Sequence, residues 1–168
     1  MPRSFATVRE LIYWEYAKLI SEGAIGNRSN YKFANFTFQN LVNGKTKPSS
    51  ILSENKQLLM LGNVCAYCGA NGELQWEHII PLSAGGPDSI DNMVRACPSC
   101  NLEKGARDPY QWYLGNKPDP IPRIVLGKFL KVIFEEYDRL GLLDSSEYME
   151  SKAIARVTLS SIFSLPHD

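Results

Sequence analysis

Apolar residues recur at helical spacing in two long stretches of the chain, one towards each end. The first stretch, residues 5–22, contains Phe5, Val8, Leu11, Ile12, Tyr16, Leu19 and Ile20. The second stretch, residues 123–140, contains Leu126, Leu130, Ile133, Tyr137 and Leu140. Each pattern predicts an amphipathic helix. Glycines follow both stretches, Gly23 and Gly26 after the first and Gly141 after the second, and they predict where the helices end.

Weaker patterns predict two further helices. One follows Pro48, with Ser49 or Ser50 at its N-cap, and runs to about Leu61. The other spans residues 145–163, near the end of the chain. Together with the stronger patterns, these predict helices on both sides of the middle of the sequence.

Residues 23–53 differ from their surroundings because they contain no acidic residue. Tyr31 and Phe33, and then Phe36 and Phe38 one step out of register, alternate with other residues, which predicts strands with one buried face. The basic residues of the stretch are Arg28, Lys32, Lys45 and Lys47. Several Asn and Gln side chains accompany them, and such a mixture suits contact with DNA phosphates and base edges. An ordinary sheet whose aromatic residues form core fits the same stretch, and both interpretations stay open.

The composition indicates a folded protein without an overall basic character. The chain has 168 residues, about one domain, and 18 basic residues balance 18 acidic ones. Any DNA-binding surface must therefore arise from local segregation of charge. No signal peptide begins the sequence, and no apolar run approaches the ~20 residues that a membrane span needs. We expect a cytoplasmic protein whose thiols stay reduced.

The four cysteines form two pairs with the spacing of metal-binding knuckles. Cys65 and Cys68 make the first pair, and Cys97 and Cys100 make the second. Two disulfides or four inert thiols are alternatives, but a reducing compartment favours a tetrahedral zinc site. The residues between the pairs, 69–96, exceed the ~15–20 residues usual in zinc ribbons, so they must contain inserted structure.

Local patterns in this insert predict a strand, a loop, a second strand and a helix. The first strand ends near His78, a loop rich in Gly, Pro and Asp follows, and the second strand runs from Met93 to Ala96. A helix opens near Pro98.

Short motifs in a fixed order give this region its identity. They are Glu-His-x-x-Pro at 77–81, Gly-Gly at 85–86, Asn92, and Cys-Asn-x-x-Lys at 100–104. With the cysteine pairs, they make residues 65 to about 107 resemble the HNH endonuclease family. The resemblance implies a ββα-metal core stapled by a four-cysteine zinc site. With the helices predicted at both ends of the chain, we expect an α+β protein whose N- and C-terminal helices wrap this core.

The predicted helices, strands and charge pattern suggest an organisation of the whole chain around this core. Residues 1–61 form an N-terminal helical and β region that is a candidate for DNA recognition. Residues 62–108 form the zinc-containing nuclease core. Residues 109–168 form a helical region that is a candidate for dimerisation. The three segments are expected to pack as one compact domain.

The same resemblance assigns roles to individual residues. His78 is the general base, and Asn92 holds the loop and fixes the orientation of the imidazole through its side-chain amide. Asn101 takes the last motif position, where Asn instead of His makes this an HNN variant. Glu77 and Asn101 are the implied ligands of a catalytic Mg²⁺ or Mn²⁺, because such hard cations prefer oxygen donors.

Elementary chemistry agrees with these roles. A neutral imidazole can accept the proton of an attacking water, and the other histidine, His167, lies next to the last residue. A divalent cation can polarise the phosphate and stabilise the leaving oxygen. Lys104 and Arg107, one helical turn apart, and Arg95 on the second strand can each contact phosphate or belong to a solvated surface, and these alternatives stay open.

The function expected from the resemblance is hydrolysis of double-stranded DNA to 5′-phosphate and 3′-hydroxyl ends. A sequence-specific restriction endonuclease is the leading hypothesis, acting as a homodimer because one HNH site cuts one strand. The predicted helices at 123–140 and 145–163 are candidates for its interface. The alternatives are a homing, mobile-element or nonspecific HNH nuclease, and a zinc-stabilised nucleic-acid-binding module that does not cut.

Overall fold

A computed structural model describes residues 5–45, 63–113 and 117–151 of the chain. The helices in these ranges are α1 (Val8–Ile25), α2 (Tyr31–Val42), α3 (Pro98–Lys104), α4 (Pro109–Tyr113), α5 (Arg123–Arg139) and α6 (Ser146–Ser151). The strands are β1 (Gln75–His78) and β2 (Met93–Ala96), and single 3₁₀ turns lie at Leu82–Ala84 and Ile90–Asn92. This mixture confirms the predicted α+β class.

The described residues fall into two compact units. The first contains residues 5–45 and 133–151, and the second contains residues 63–113 and 117–132. In the part of the chain that the structure describes, no helix is both long and apolar enough to cross a membrane. The predicted three-segment organisation stays a prediction.

Helix α1 confirms the first predicted helix and shows how its ends are fixed. The Thr7 side chain caps the start by accepting a hydrogen bond from the Glu10 backbone N–H. Gly26 ends the helix in the left-handed conformation at φ 71°, and its N–H donates to the Glu22 carbonyl. Gly23, the other predicted stop, lies inside the helix. The predicted apolar positions that become buried are Val8, Leu11, Ile12, Tyr16 and Leu19.

Helix α2 overturns the strands predicted within residues 23–53. The Asn30 side chain accepts a hydrogen bond from the Phe33 N–H and starts a helix at Tyr31. The residues that α2 buries follow helical rather than strand spacing: Ala34, Thr37, Phe38 and Leu41. Alternation among the aromatic residues was misleading because Phe36 and Tyr31 remain exposed while Phe38 packs edge-on against Trp14 of α1.

The C-terminal helices are confirmed within the described residues. Helix α5 runs from Arg123 to Arg139, and Gly141 closes it at φ 71° with its N–H bonded to the Asp138 carbonyl. Of the helix predicted at 145–163, α6 is the described part. The helix predicted after Pro48 lies outside the described residues.

The apolar side of α5 is buried within the chain. Val125, Leu126, Phe129 and Leu130 belong to the second unit, and Ile133 and Tyr137 belong to the first. In the first unit, Phe134 stacks on Tyr13, and Arg9 of α1 pairs with Asp144 at 2.8 Å. The apolar α5 residues that suggested a dimer interface are therefore buried within the two units.

The second unit confirms the predicted strand–loop–strand–helix order. Strands β1 and β2 are antiparallel, with Trp76 opposite Arg95 and His78 opposite Met93. Because side chains alternate along a strand, Glu77 faces the covered side of this sheet while Trp76 and His78 leave from the other side. Helix α3 follows β2 at once, with Cys97 as its N-cap and Pro98 in its first turn.

Candidate active site and metal centre

The two cysteine pairs meet in one cluster. All four thiols are free, which excludes the disulfide alternative, and their sulfur atoms all lie within 4.8 Å of one another. The Cys68 and Cys97 sulfurs are 3.8 Å apart. A tetrahedral zinc ion with Zn–S bonds of about 2.3 Å has sulfur–sulfur edges of about 3.8 Å. The cluster therefore fits the predicted four-cysteine zinc site.

Backbone hydrogen bonds and uneven thiol acidity shape this cluster. The Ala66 N–H donates to the Arg95 carbonyl, which ties the first knuckle to β2. Burial disfavours ionisation of Cys65, but hydrogen bonds from the backbone at Cys97 and Cys68 lower the pKa of this thiol to about 7. Burial and the neighbouring sulfurs raise the pKa of Cys100. Ionising all four thiols together therefore calls for a bound cation.

His78 stands at the end of β1 with its two ring nitrogens in different surroundings. Its Nε2 lies 2.9 Å from Oδ1 of Asp88, and 25% of its side chain is exposed. Within the described ranges, Nδ1 has no hydrogen-bond partner. A carboxylate only accepts, so the neutral ring carries its proton on Nε2 and presents the lone pair of Nδ1.

Asn92 is completely buried and joins the loop between the strands to the end of β1. Its Oδ1 accepts from the Ile80 N–H at 2.9 Å, and its Nδ2 donates to the carbonyls of Ile80 and Pro87. Asn92 thus bonds to backbone, whereas the imidazole's partner is Asp88, the residue after Pro87. The loop passes so close to β1 that a Cβ on Gly86 would lie 1.9 Å from the Ile80 carbonyl oxygen.

Glu77 lies in a buried polar cluster beneath the sheet. Its Oε1 accepts from Lys104 Nζ and its Oε2 accepts from the Tyr67 hydroxyl, each at 2.5 Å. Lys104 also donates to the His78 carbonyl at 3.0 Å. Its side chain is fully buried, which fits neither alternative given for Lys104, a phosphate contact or a solvated surface. Burial lowers the pKa of Lys104, while the charge of Glu77 opposes that shift.

Asn101 on α3 reaches back towards β1. Its Nδ2 donates to the Gln75 Oε1 at 2.9 Å, which leaves the amide oxygen on the same side chain as a further donor atom for a metal. A pocket of about 410 Å³ is lined by Glu77, His78 and Asn101 together. This donor set fits a hard divalent cation in its chemistry, although the Glu77 carboxylate here already binds the Lys104 ammonium.

The other basic residues predicted to contact DNA lie in different surroundings. Arg28 pairs with Glu22 at 2.5 Å, and Lys32 and Lys45 are exposed. Arg107 donates to backbone carbonyls at the end of α3. Lys47 lies outside the described residues. The Arg95 guanidinium lies over the Trp76 ring, 5.0 Å from its centroid.

Three residues that hold the site in place were not predicted from the sequence. Asp88 stood in the recognised Gly-Gly-Pro-Asp loop, and this position was the only signal for it. Tyr67 lies inside the first cysteine pair, where nothing marks it as a partner of Glu77. Lys128 falls in the α5 pattern, yet its buried ammonium donates to the carbonyls of Ile90 and Met93 at 3.0 and 2.5 Å and holds the start of β2.

The family model described as HNH endonuclease matches residues 65–107, which span both cysteine pairs, the hairpin and α3. Residues 65–107 are an HNH domain. This finding confirms the resemblance that was inferred from the motifs.

Two curated relatives share sequence with the chain that contains this HNH domain. The type IV methyl-directed restriction enzyme EcoKMcrA of Escherichia coli (strain K12) is 41% identical over 49 residues, covering 24% of this chain and 18% of the relative. The CRISPR-associated endonuclease Cas9 1 of Streptococcus thermophilus is 30% identical over 112 residues, covering 56% of this chain and 10% of the relative. The chain thus spans a small part of either relative. No solved structure matches it significantly.

Proposed function

We propose that the chain is a metal-dependent DNA endonuclease of the HNH type, with His78 as its general base. The observation that carries the proposal is the imidazole at the pocket, which has Nε2 bonded to Asp88 and Nδ1 open. It lies in an HNH domain, and Glu77 and Asn101 line the same pocket. An arrangement of this kind suits hydrolysis of a phosphodiester by an activated water.

In the proposed reaction, Nδ1 of His78 accepts the proton of the water that attacks phosphorus. The ring becomes an imidazolium, and the Asp88 carboxylate at Nε2 stabilises the new charge. The P–O3′ bond breaks, so the products carry 5′-phosphate and 3′-hydroxyl ends. Asn92 keeps Asp88 in reach by holding the carbonyl of the preceding residue, Pro87.

Glu77 and Asn101 are the proposed holders of a catalytic Mg²⁺ or Mn²⁺. When bound, the cation supplies polarisation of the phosphate and stabilisation of the departing oxygen. The Lys104 ammonium pairs with the Glu77 carboxylate at 2.5 Å and places a positive charge beside the pocket. The four-cysteine site is proposed to hold zinc in a structural role, since four protein ligands leave no open position.

A restriction role on double-stranded DNA is the leading biological hypothesis. The similarity to a methyl-directed restriction enzyme supports it, as does the neutral overall charge, which argues mildly against a nonspecific binder. Cutting both strands at one place requires two HNH sites, so we propose action by two copies of the chain. The basic residues Arg28, Lys32, Lys45, Lys47 and Arg107 remain proposed DNA contacts.

Plasmid cleavage tests the proposal. The wild type, with Mg²⁺ or Mn²⁺, is expected to linearise a plasmid and to yield a defined set of end sequences. His78→Ala is expected to lower the rate by about 10²–10⁴-fold, as the loss of a general base does. The control is Leu102→Ala on α3, because Leu102 is 85% exposed and contacts no part of the proposed mechanism.

The products also separate the alternative functions. A smear of products would point to a nonspecific nuclease, and circles nicked in one strand would contradict action by two copies. If the wild type and His78→Ala both bind DNA and neither cuts with either metal, the chain is a nucleic-acid-binding module and the enzyme proposal fails.

A further inference from the structure

The open face of the hairpin carries a large aromatic side chain beside the proposed catalytic base. Trp76 and His78 alternate along β1, so both side chains leave from the same face of the sheet, and both line the pocket. Trp76 is 50% exposed, although Trp is the largest apolar side chain. A half-exposed indole next to a pocket of about 410 Å³ has an aromatic surface available to a ligand.

Arg95 adds an uncompensated charge to this surface. It lies opposite Trp76 across the two strands, with its guanidinium carbon 5.0 Å from the centroid of the ring. Its Nε is buried and has no hydrogen-bond partner. Elsewhere in the described chain, Arg9, Arg28 and Arg139 each pair with a carboxylate, whereas Arg95 has no ion pair there. The Arg95 side chain as a whole is only part buried, so an anionic ligand can approach the guanidinium and neutralise its charge.

A cross-strand Trp–Arg pair also stabilises a hairpin by itself, as aromatic and cationic neighbours do. That role does not require the indole to be half exposed at the pocket, nor the arginine to lack an acceptor. Both features match how proteins bind unpaired nucleotides, where aromatic rings stack on bases and arginines contact the neighbouring phosphates.

We infer that Trp76 and Arg95 form a stacking site for an unstacked nucleobase beside the phosphate that is cut. The inference rests on the proposed function and deepens it, because it names the substrate class. Bases inside a regular duplex cover each other's faces and offer only their edges. Trp76 can therefore stack only on a base that has left the helix, which predicts a preference for DNA with an unpaired nucleotide at the cleavage position.

Binding measurements on a protein that does not cut test the site directly. In a His78→Ala background, two labelled duplexes are compared that differ only in one bulged nucleotide, with 2-aminopurine as the bulged base. The bulged duplex is expected to bind about tenfold more tightly, and 2-aminopurine fluorescence is expected to fall on binding, since stacking on an aromatic ring quenches it.

Substitutions then assign these effects to the two side chains. Trp76→Ala should abolish both the preference and the quenching, while Trp76→Phe, which keeps an aromatic face, should retain most of each. Arg95→Met should weaken binding of both duplexes and reduce the salt dependence by about one phosphate contact. Zinc content and the thermal midpoint confirm that each variant is folded.

Each outcome decides between the inference and the function on which it rests. If the His78→Ala protein with and without Trp76→Ala shows the same preference for the bulged duplex and the same quenching of 2-aminopurine, the stacking site is overturned. This holds even if the wild type cuts DNA. A preference that depends on Trp76 in a protein that never cuts supports the site and overturns the nuclease proposal. Absence of DNA binding by the His78→Ala protein overturns both.

Discussion

At the scale of single residues, the environment of Glu77 differs most from what its sequence suggests. The motif marks it as a metal ligand, but the structure gives it two buried partners, the Lys104 ammonium and the Tyr67 hydroxyl. A carboxylate and an ammonium removed from water stabilise each other, and each becomes costly when the other is absent. The pair is therefore a structural element of the pocket as well as part of its chemistry.

Removing one charge of this pair should destabilise the protein more than removing both. Lys104→Met leaves Glu77 buried without its cation and should lower the free energy of unfolding by about 3–5 kcal/mol. The double substitution Glu77→Gln with Lys104→Met should recover a large part of this loss. Urea denaturation of the zinc-loaded proteins measures both values, with the exposed Leu102→Ala as the control. A double variant no more stable than Lys104→Met contradicts the argument.

At the scale of elements, the loop between β1 and β2 fixes the surroundings of His78, the proposed catalytic base. Three hydrogen bonds from the Asn92 amide draw the loop onto the end of β1 and place Asp88 beside His78. The same closeness explains the glycine at position 86, since any side chain there meets the Ile80 carbonyl. In this loop, a packing requirement and a chemical requirement coincide.

Gly86→Ala should therefore lower the cleavage activity of the site in a protein whose zinc core still folds. A Cβ 1.9 Å from the Ile80 oxygen must displace the loop, which breaks the Asn92 bonds and moves Asp88 away from His78. We expect cleavage to fall by at least about tenfold, and the overpacking to cost about 1–3 kcal/mol. Cleavage rate, bound zinc and thermal midpoint are measured together. Ser89→Ala, an exposed position in the same loop whose side chain makes no capping hydrogen bond, is the control, and unchanged cleavage by Gly86→Ala would refute the expectation.

At the scale of the whole molecule, the four-cysteine cluster joins segments that are distant in sequence. Its first pair lies on the knuckle bonded to β2, and its second pair begins α3, so a bound metal would cross-link both to the hairpin. The described part of the second unit contains only a two-stranded sheet and short helices besides the first part of α5. A metal cross-link supplies stability that so small a set of elements does not provide by burial alone.

Loss of the zinc ligands should therefore affect stability, apart from any effect of Mg²⁺ on cleavage. Cys68→Ser is expected to lose bound zinc and to lower the free energy of unfolding by several kcal/mol. Elemental analysis and thermal unfolding followed by circular dichroism measure the two effects. Ser99→Ala is the matched control, because Ser99 is exposed and lies between the ligands Cys97 and Cys100. Full zinc content and an unchanged midpoint in Cys68→Ser would rule out the structural role.

Local sequence is sufficient to predict the elements whose causes lie within a few residues. The knuckles, the hairpin, the start of α3 and the ends of α1 and α5 each follow from spacing, turn residues and caps within a few positions. The HNH domain is recognisable for the same reason, because its motifs are short and occur in a fixed order.

The partners of the side chains in the candidate site depend on tertiary contacts. Lys104 meets Glu77 from 27 residues away, and Asp88 meets His78 from 10 residues away. The aromatic residues of α2 fit strand and helix spacing alike until the Asn30 cap and the packing against α1 favour the helix. A side chain's neighbours depend on the register of strands and on which face becomes buried, and these arise from contacts across the fold that no local pattern contains.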